Sequence, residues 1–267
     1  IGGGVVGDIS SFASSIYKRG TKIIHVPTTM TAMVDSCIGG KTGINHLNQV
    51  NLIGTYHHPE AIFIDIRFLS TLKIRDFLSG LVESIKKAII SSEDFYNYLI
   101  ENSKKIKEKN KEVLIKIISE SIKQKIYYTS NDVKENSLRL LLNYGHTFGQ
   151  ALESYYGIDE KKMTHGEAVS LGMICAAKMS NLNFKNSRIL NQHYKILEIF
   201  DLPTKLNHLK SIEKPNFKKL CNYLINDKKR QSNENRFIVC KKISEAHVLK
   251  INSKNYIEKS FKQIFIK

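Results

Sequence analysis

Apolar residues recur at three- and four-residue spacing through most of the chain beyond residue 74, the pattern of helices with one buried face. This spacing predicts helices over Leu78–Ile90, Phe95–Ile106, Val113–Tyr128, Leu138–Tyr155, Glu167–Ser180, Ser187–Phe200 and Lys218–Ile225. Arg236–Cys240 and Ala246–Ile251 read as a terminal strand pair, followed by a short helix. The first 73 residues have a different texture. A glycine-rich turn over residues 2–8 leads into a helix over Ile9–Arg19, with Phe12, Ala13, Ile16 and Tyr17 on one face. Gly20 closes that helix. Lys22–Val26 and Ala61–Asp65 read as short buried strands of a parallel sheet. The pattern divides the chain into an α/β portion, 1–73, and a mostly helical portion, 74–267, that ends in the strand pair.

Composition narrows the class of protein. Apolar residues make up 42% of the 267 positions, ordinary for a globular chain, and no apolar run is long enough to cross a membrane. The formal charge is +16. The basic residues are spread along helices without interleaved aromatics, and no nucleic-acid motif is present, so neither nucleic acid nor membrane is expected as a partner. The cysteines at 37, 175, 221 and 240 form no CxxC pair, which points to free, buried thiols in a reducing compartment such as the cytoplasm. The Ile1-Gly-Gly-Gly opening, without methionine, reads as a strand end entering a turn, as though the chain began inside a domain.

Three stretches carry candidate chemistry. The loop Val34-Asp-Ser-Cys-Ile-Gly-Gly-Lys-Thr-Gly43 sets Lys41 after two glycines, a composition suited to holding an anion; it lacks the spacing of a Walker loop. Pro27-Thr28-Thr29 places two hydroxyls at the carboxyl end of a strand, where open parallel sheets bind ligands. The glycine turn before the first helix is a way to bring backbone close to a pyrophosphate, although strict GxGxxG spacing is absent. In the helical portion Glu83, His146 and His165 each lie near a glycine or a helix start. Two histidines and a glutamate can form an open catalytic metal site, but no local rule brings residues at these separations together. Lys86 lies one turn after Glu83, which also suits a surface ion pair; Lys125, Arg139 and Asn143 also suit solvated helix faces. At a four-residue spacing Arg139 and Asn143 share a helical face.

Taken in order, Gly2-Gly-Gly-Val-Val-Gly-Asp8, Arg19-Gly20, Pro27-Thr-Thr29, Val34-Asp-Ser36 and Gly39-Gly-Lys-Thr-Gly-Ile-Asn45 resemble the 3-dehydroquinate synthase family of sugar phosphate cyclases. Asn51-Leu-Ile-Gly54, Gly80-Leu-Val-Glu83 with Lys86, Leu142-Asn-Tyr-Gly-His-Thr-Phe-Gly149, His165-Gly-Glu-Ala168 and Asp227-Lys-Lys229 continue the resemblance along essentially the whole chain. It implies a partial NAD-binding α/β domain followed by a helical metal-binding domain, with a sugar phosphate acid bound between them. The implied metal, zinc or cobalt, is held by Glu83, His146 and His165. Lys86, Lys125, Arg139 and Asn143 are implied to hold substrate carboxylate and hydroxyls, and Lys41, Asn51 and Lys228 the leaving phosphate. Gly4, Val5, Val6, Gly7, Asp8, Thr28, Thr29, Asp35, Lys41, Phe68, Leu69, Ser70 and Thr71 are implied to contact NAD. Arg19 is implied to reach a partner subunit's phosphate site, hence a homodimer.

The chain departs from the family pattern in three ways. The family carries a further amino-terminal portion of roughly a hundred residues, the size of half a dinucleotide-binding domain; without it the strands would expose an edge and apolar faces. Val50 stands where the family has a lysine, and Gln150 where it has a second histidine. Glutamine donates a hydrogen bond but does not titrate. Three readings therefore follow: a dehydroquinate synthase, a non-catalytic remnant of one, or another sugar phosphate cyclase.

Overall fold

In the computed structural model the described residues are 1–46, 49–157, 159–229 and 235–265. In chain order the elements are α1 (Gly4–Ile16), β1 (Ile24–His25), β2 (Lys41–His46), β3 (Gln49–Tyr56), β4 (Ala61–Ile62), α2 (Ile74–Ser91), α3 (Glu93–Glu101), α4 (Ser103–Lys107), α5 (Lys111–Asn131), α6 (His146–Tyr156), α7 (His165–Phe184), α8 (Ser187–Ile199), α9 (Phe217–Lys229), β5 (Arg236–Lys242), β6 (Glu245–Lys250) and α10 (Lys254–Lys262). Two compact units emerge: Ile1–Ser84 with Asn102–Glu135, and Ile85–Glu101 with Asn136–Lys267. The division falls inside α2, and α5 belongs to the first unit, whereas the periodicity alone places both helices wholly in the second portion.

The first unit is the α/β one. β1 and β4 pair in parallel, Ile24 opposite Ala61, and Gly2 bridges to Pro27 beside them. The expected strand Lys22–Val26 is shorter than its apolar pattern suggests, and Ile24 is exposed. A two-stranded parallel pair cannot cover its own faces, so apolar side chains such as Ile24 and Phe63 face outward. Val5, Ile9 and Ile16 of α1 are exposed as well. The first helix starts at Gly4, earlier than its apolar face predicts, and Lys18 and Arg19 end it with positive φ.

A hairpin that the alternation did not announce follows. Lys41–His46 pairs antiparallel with Gln49–Tyr56, with Gly43 opposite Gly54. A β-carbon on Gly54 would lie 2.0 Å from the Thr42 carbonyl oxygen, so the two strands approach where only glycine fits. Glycines interrupt the two-residue period, which is why the strands were illegible. Ahead of the hairpin, Ala32–Ser36 forms a single π-helical turn, buried except at its end, which presents Asp35.

The second unit is built on α7. Its buried residues lie on every side, from Gly166 to Ser180, as expected of a helix surrounded by others. It packs against α6, α8, β5 and α10. The antiparallel pair β5–β6 runs in the expected register region, Phe237 opposite Leu249. Two predicted helices are broken. Phe95–Ile106 divides at Asn102. Leu138–Tyr155 becomes a 3-10 helix, Leu138–Asn143, then a corner at Tyr144-Gly145, then α6. Gly145 has φ 78°, and a β-carbon there would lie 2.7 Å from Met173 Cγ on α7. The corner therefore exists because α7 passes close beneath it. The four cysteines are free and buried.

Candidate functional site

Glu83, His146 and His165 come together: one ligand atom from each, and all of these within 4.8 Å of one another. Glu83 is buried on α2, one residue before the division between the units. That helix can run close to the Met30–Thr31 backbone because Gly80 has no side chain; a β-carbon would lie 2.4 Å from the Thr31 nitrogen. His146 is the first residue of α6, set in place by the Gly145 corner. His165 is the first residue of α7, where Thr164 and Glu167 form a capping box: Thr164 Oγ1 accepts from the Glu167 N–H at 3.2 Å, and Glu167 accepts from the Thr164 N–H at 2.8 Å. The Thr-His-Gly-Glu motif is thus a helix start that presents His165 beside Glu83 and His146.

Both imidazoles are oriented through Nδ1. His146 Nδ1 lies 3.2 Å from the Tyr144 carbonyl oxygen, and His165 Nδ1 lies 2.9 Å from Glu153 Oε1. A carbonyl and a carboxylate can only accept, so each Nδ1 carries a proton, and in the neutral tautomer Nε2 is the nitrogen that can bind a metal. Outer partners of this kind are usual around histidine-bound metals. Two histidines and a buried carboxylate form a donor set that fits a divalent ion such as zinc or cobalt. Glu153 was not legible as functional: in the sequence it is one more acidic residue on an amphipathic helix.

The other expected site residues fall into several groups. Asp8, Asp35 and Lys125 meet in the first unit. Lys125 Nζ is paired with Asp35 Oδ2 at 2.8 Å, and Lys125 is nearly buried. Burial, and then the neighbouring Asp35 carboxylate, push the Asp8 carboxyl up to about 6, against the opposing pull of Lys125. The ammonium of Lys125, which opposes that rise, is itself paired with Asp35. Lys41 is on the first residue of the hairpin and pairs with Glu135, a residue at positive φ. Asn51, also at positive φ, donates its N–H to Asn45 Oδ1 at 3.0 Å.

Gly4 to Asp8 are the opening residues of α1, not a separate turn. Gly3 caps that helix without a side-chain bond, and the first turn has no acidic residue, so its N–H groups can meet an anion such as a pyrophosphate. Gly3 lies against Thr29, whose hydroxyl accepts from the Ala32 N–H at 3.3 Å; Thr28 donates its N–H to the Gly2 carbonyl at 2.9 Å. Val5 and Val6 project outward. Phe68, Ser70 and Thr71 are exposed, whereas Leu69 is buried, so only its backbone is available to a ligand. Lys109 grips this segment by donating to the Leu69 and Leu72 carbonyls at 2.8 and 2.7 Å.

Lys86 and Arg139 are buried, which rules out the surface ion pair and the solvated face that their spacing also allowed. Arg139 and Asn143 lie on a 3-10 helix with three residues per turn, so a four-residue spacing does not stack them on one face. Arg19 is exposed. Gln150 is exposed on α6. The side chains of Lys228 and Val50 lie outside the described residues.

Family profiles of the 3-dehydroquinate synthase N-terminal and C-terminal regions match residues 1–79 and 80–230. The chain is 41% identical to the 3-dehydroquinate synthase of Prochlorococcus marinus strain MIT 9515 over 93% of its length and 67% of the relative's. It is 40% identical to that of Dictyoglomus turgidum over 96% of its length and 70% of the relative's. Among solved structures, a 2-deoxy-scyllo-inosose synthase complexed with carbaglucose-6-phosphate, NAD+ and Co2+ superposes with a TM-score of 0.84 at 28% identity, covering 98% of this chain and 72% of that one. A 2-epi-5-epi-valiolone synthase from Streptomyces hygroscopicus subsp. jinggangensis 5008, with NAD+ and Zn2+ bound, has a TM-score of 0.89 at 24% identity, covering 99% and 72%; it shares the fold.

Proposed function

The chain belongs to the 3-dehydroquinate synthase family, and on that premise we propose that it converts 3-deoxy-D-arabino-heptulosonate 7-phosphate to 3-dehydroquinate and phosphate. This is a lyase reaction of the shikimate pathway. The observation that carries the reading is the Glu83, His146 and His165 donor group, standing in a chain about two-fifths identical to relatives of that name. When bound, NAD takes up and returns a hydride and the divalent metal polarises a substrate oxygen.

The chain's own part is mainly positioning. Lys86, Lys125, Arg139 and Asn143 hold the substrate carboxylate and hydroxyls. Lys41, Asn51 and Lys228 hold the phosphate. Lys125 and Lys41 are already paired with Asp35 and Glu135, so an anionic substrate competes with these carboxylates for the same cations. Such an exchange keeps each lysine neutralised both before and after binding. Gly4 to Asp8, Thr28, Thr29, Asp35, Lys41 and Phe68 to Thr71 contact NAD, Leu69 through its backbone. The substrate's phosphate accepts the proton released next to it, so few protein bases are needed. Arg19 serves the phosphate site of a second subunit, in a homodimer. Its exposed position at the end of the first helix supports that role. Among the described residues no helix is long and apolar enough to cross a membrane, and the four thiols are free; both suit a cytoplasmic enzyme.

The test is phosphate release from the heptulosonate phosphate with NAD and zinc. Equal amounts of phosphate and 3-dehydroquinate, with no accumulation of reduced cofactor, are expected. Phosphate release only from a sugar phosphate without a carboxylate, such as glucose 6-phosphate, would assign the chain to another cyclase activity. Silence with every substrate would overturn the catalytic reading.

A further inference from the structure

A second polar cluster lies entirely inside the second unit, apart from any ligand atom. Tyr144 and His193 are both 0% exposed, and the Tyr144 hydroxyl lies 2.8 Å from His193 Nε2. His193 Nδ1 lies 2.7 Å from the Ile189 carbonyl oxygen. That carbonyl can only accept, so Nδ1 holds the proton, Nε2 accepts, and the tyrosine donates. Burial holds the His193 imidazole down at about 4, so it is neutral and the arrangement is single-valued. The surroundings are equally settled. Ser180 Oγ accepts from the Cys240 N–H at 2.9 Å and donates to the Ala176 carbonyl at 2.7 Å, and both side chains border the Tyr144 hydroxyl.

A buried polar pair is costly to make and often has a use beyond stability. Here the use can be traced atom by atom. Tyr144 is the residue whose carbonyl accepts from His146 Nδ1. One residue separates them, Gly145, at φ 78° and pressed against Met173 and the Val169 carbonyl. The side chain of Tyr144 is tied to α8 and Gly145 lies close against α7, so the Tyr144 carbonyl is restrained where it meets His146 Nδ1.

We propose that His193 is a positioning residue for the metal centre, acting through the Tyr144 hydroxyl to hold the carbonyl that orients His146. This rests on the metal reading of Glu83, His146 and His165. The chain of contacts runs from the Ile189 carbonyl on α8 through His193 and Tyr144 to His146 Nδ1, and no member other than His146 is a ligand.

The experiment is zinc affinity by competition with a chromophoric chelator, alongside the visible spectrum of the cobalt-loaded protein and the melting of the metal-free protein. Tyr144→Phe and His193→Leu are each expected to weaken zinc binding about 10-fold, the lower end for outer partners of metal ligands, and to alter the cobalt bands. Combined, they should weaken it no more than either alone, because they break one contact. His193→Gln keeps an acceptor for the tyrosine and should restore affinity to within about threefold of the parent. Tyr144→Phe removes a single oxygen and decides the matter if His193→Leu does not fold. Cooperatively melting variants with unchanged zinc affinity and cobalt spectrum would overturn the proposal, leaving the pair a packing feature. Failure of the parent protein to bind zinc at all would instead overturn the metal reading itself.

Discussion

Glu153 Oε1 accepts a hydrogen bond from His165 Nδ1 at 2.9 Å, about two turns along α6 from His146. One helix thus carries one candidate ligand and the hydrogen-bond support of another. Replacing Glu153 with Gln keeps the size and an accepting oxygen but removes the charge that makes the imidazole a stronger donor to metal. Zinc affinity should fall about 10-fold in Glu153→Gln and further in Glu153→Ala. Chelator competition measures it, and unchanged affinity in Glu153→Ala would show the contact to be incidental.

His146→Ala should remove metal altogether, because two remaining donors leave a zinc ion mostly to water. Elemental analysis after dialysis against zinc reads this directly. Full occupancy in that variant would remove His146 from the ligand set.

Asp8 predicts a pH dependence of stability. Its carboxyl is raised from 3.8 to about 6 in the folded chain, so between those values the folded state keeps a proton that the unfolded state has lost. Stability from this group is fully present below the lower value and is lost as pH rises through the upper one. Asp8→Asn should therefore unfold at higher urea than the parent at about pH 7.5 and at the same urea at about pH 3.5. Equal midpoints at both values would mean that the carboxyl is not perturbed by folding.

Lys125 holds apart the consequences of placing Asp8 near Asp35. Lys125→Met leaves both carboxylates without that cation and should cost about 2 kcal/mol, below the full cost of breaking a wholly buried pair because Asp35 is partly exposed. The loss should shrink when Asp8→Asn is added, since one of the repelling groups is then gone. Urea titration of the four-member mutant cycle checks both statements, and strict additivity would refute the coupling.

Gly172 on α7 lies under the corner that carries His146. A β-carbon there would be 2.0 Å from the Gly145 carbonyl oxygen and 2.8 Å from the Gly149 nitrogen. Both are backbone atoms and cannot swing aside. Gly172→Ala should lower stability by about 3 kcal/mol, at the upper end for overpacking, and should weaken zinc binding by shifting the corner. A parent-like melting temperature would show that α7 can move away freely.

Much of this was legible in the residues themselves. The three- and four-residue periods located α2, α5, α7 and α8, because a helix buries one face or all of itself and its composition records which. The ordered motifs pointed to the family, which the profiles match, and to Glu83, His146 and His165 as candidate donors, since ligand chemistry restricts the residue types at such positions. The hairpin of Lys41–Tyr56 and the break at Gly145 were not legible, because glycine erases periodicity where backbones must approach. Nor could spacing alone disclose that Glu153 supports His165, that His193 reaches Tyr144, or that Lys125 serves Asp35. Those pairs join residues far apart in the chain, and a local pattern carries no record of which distant partner a polar side chain meets. Only packing decides that, by bringing α6 onto α7, α7 onto α8, and α5 onto the π-helical turn.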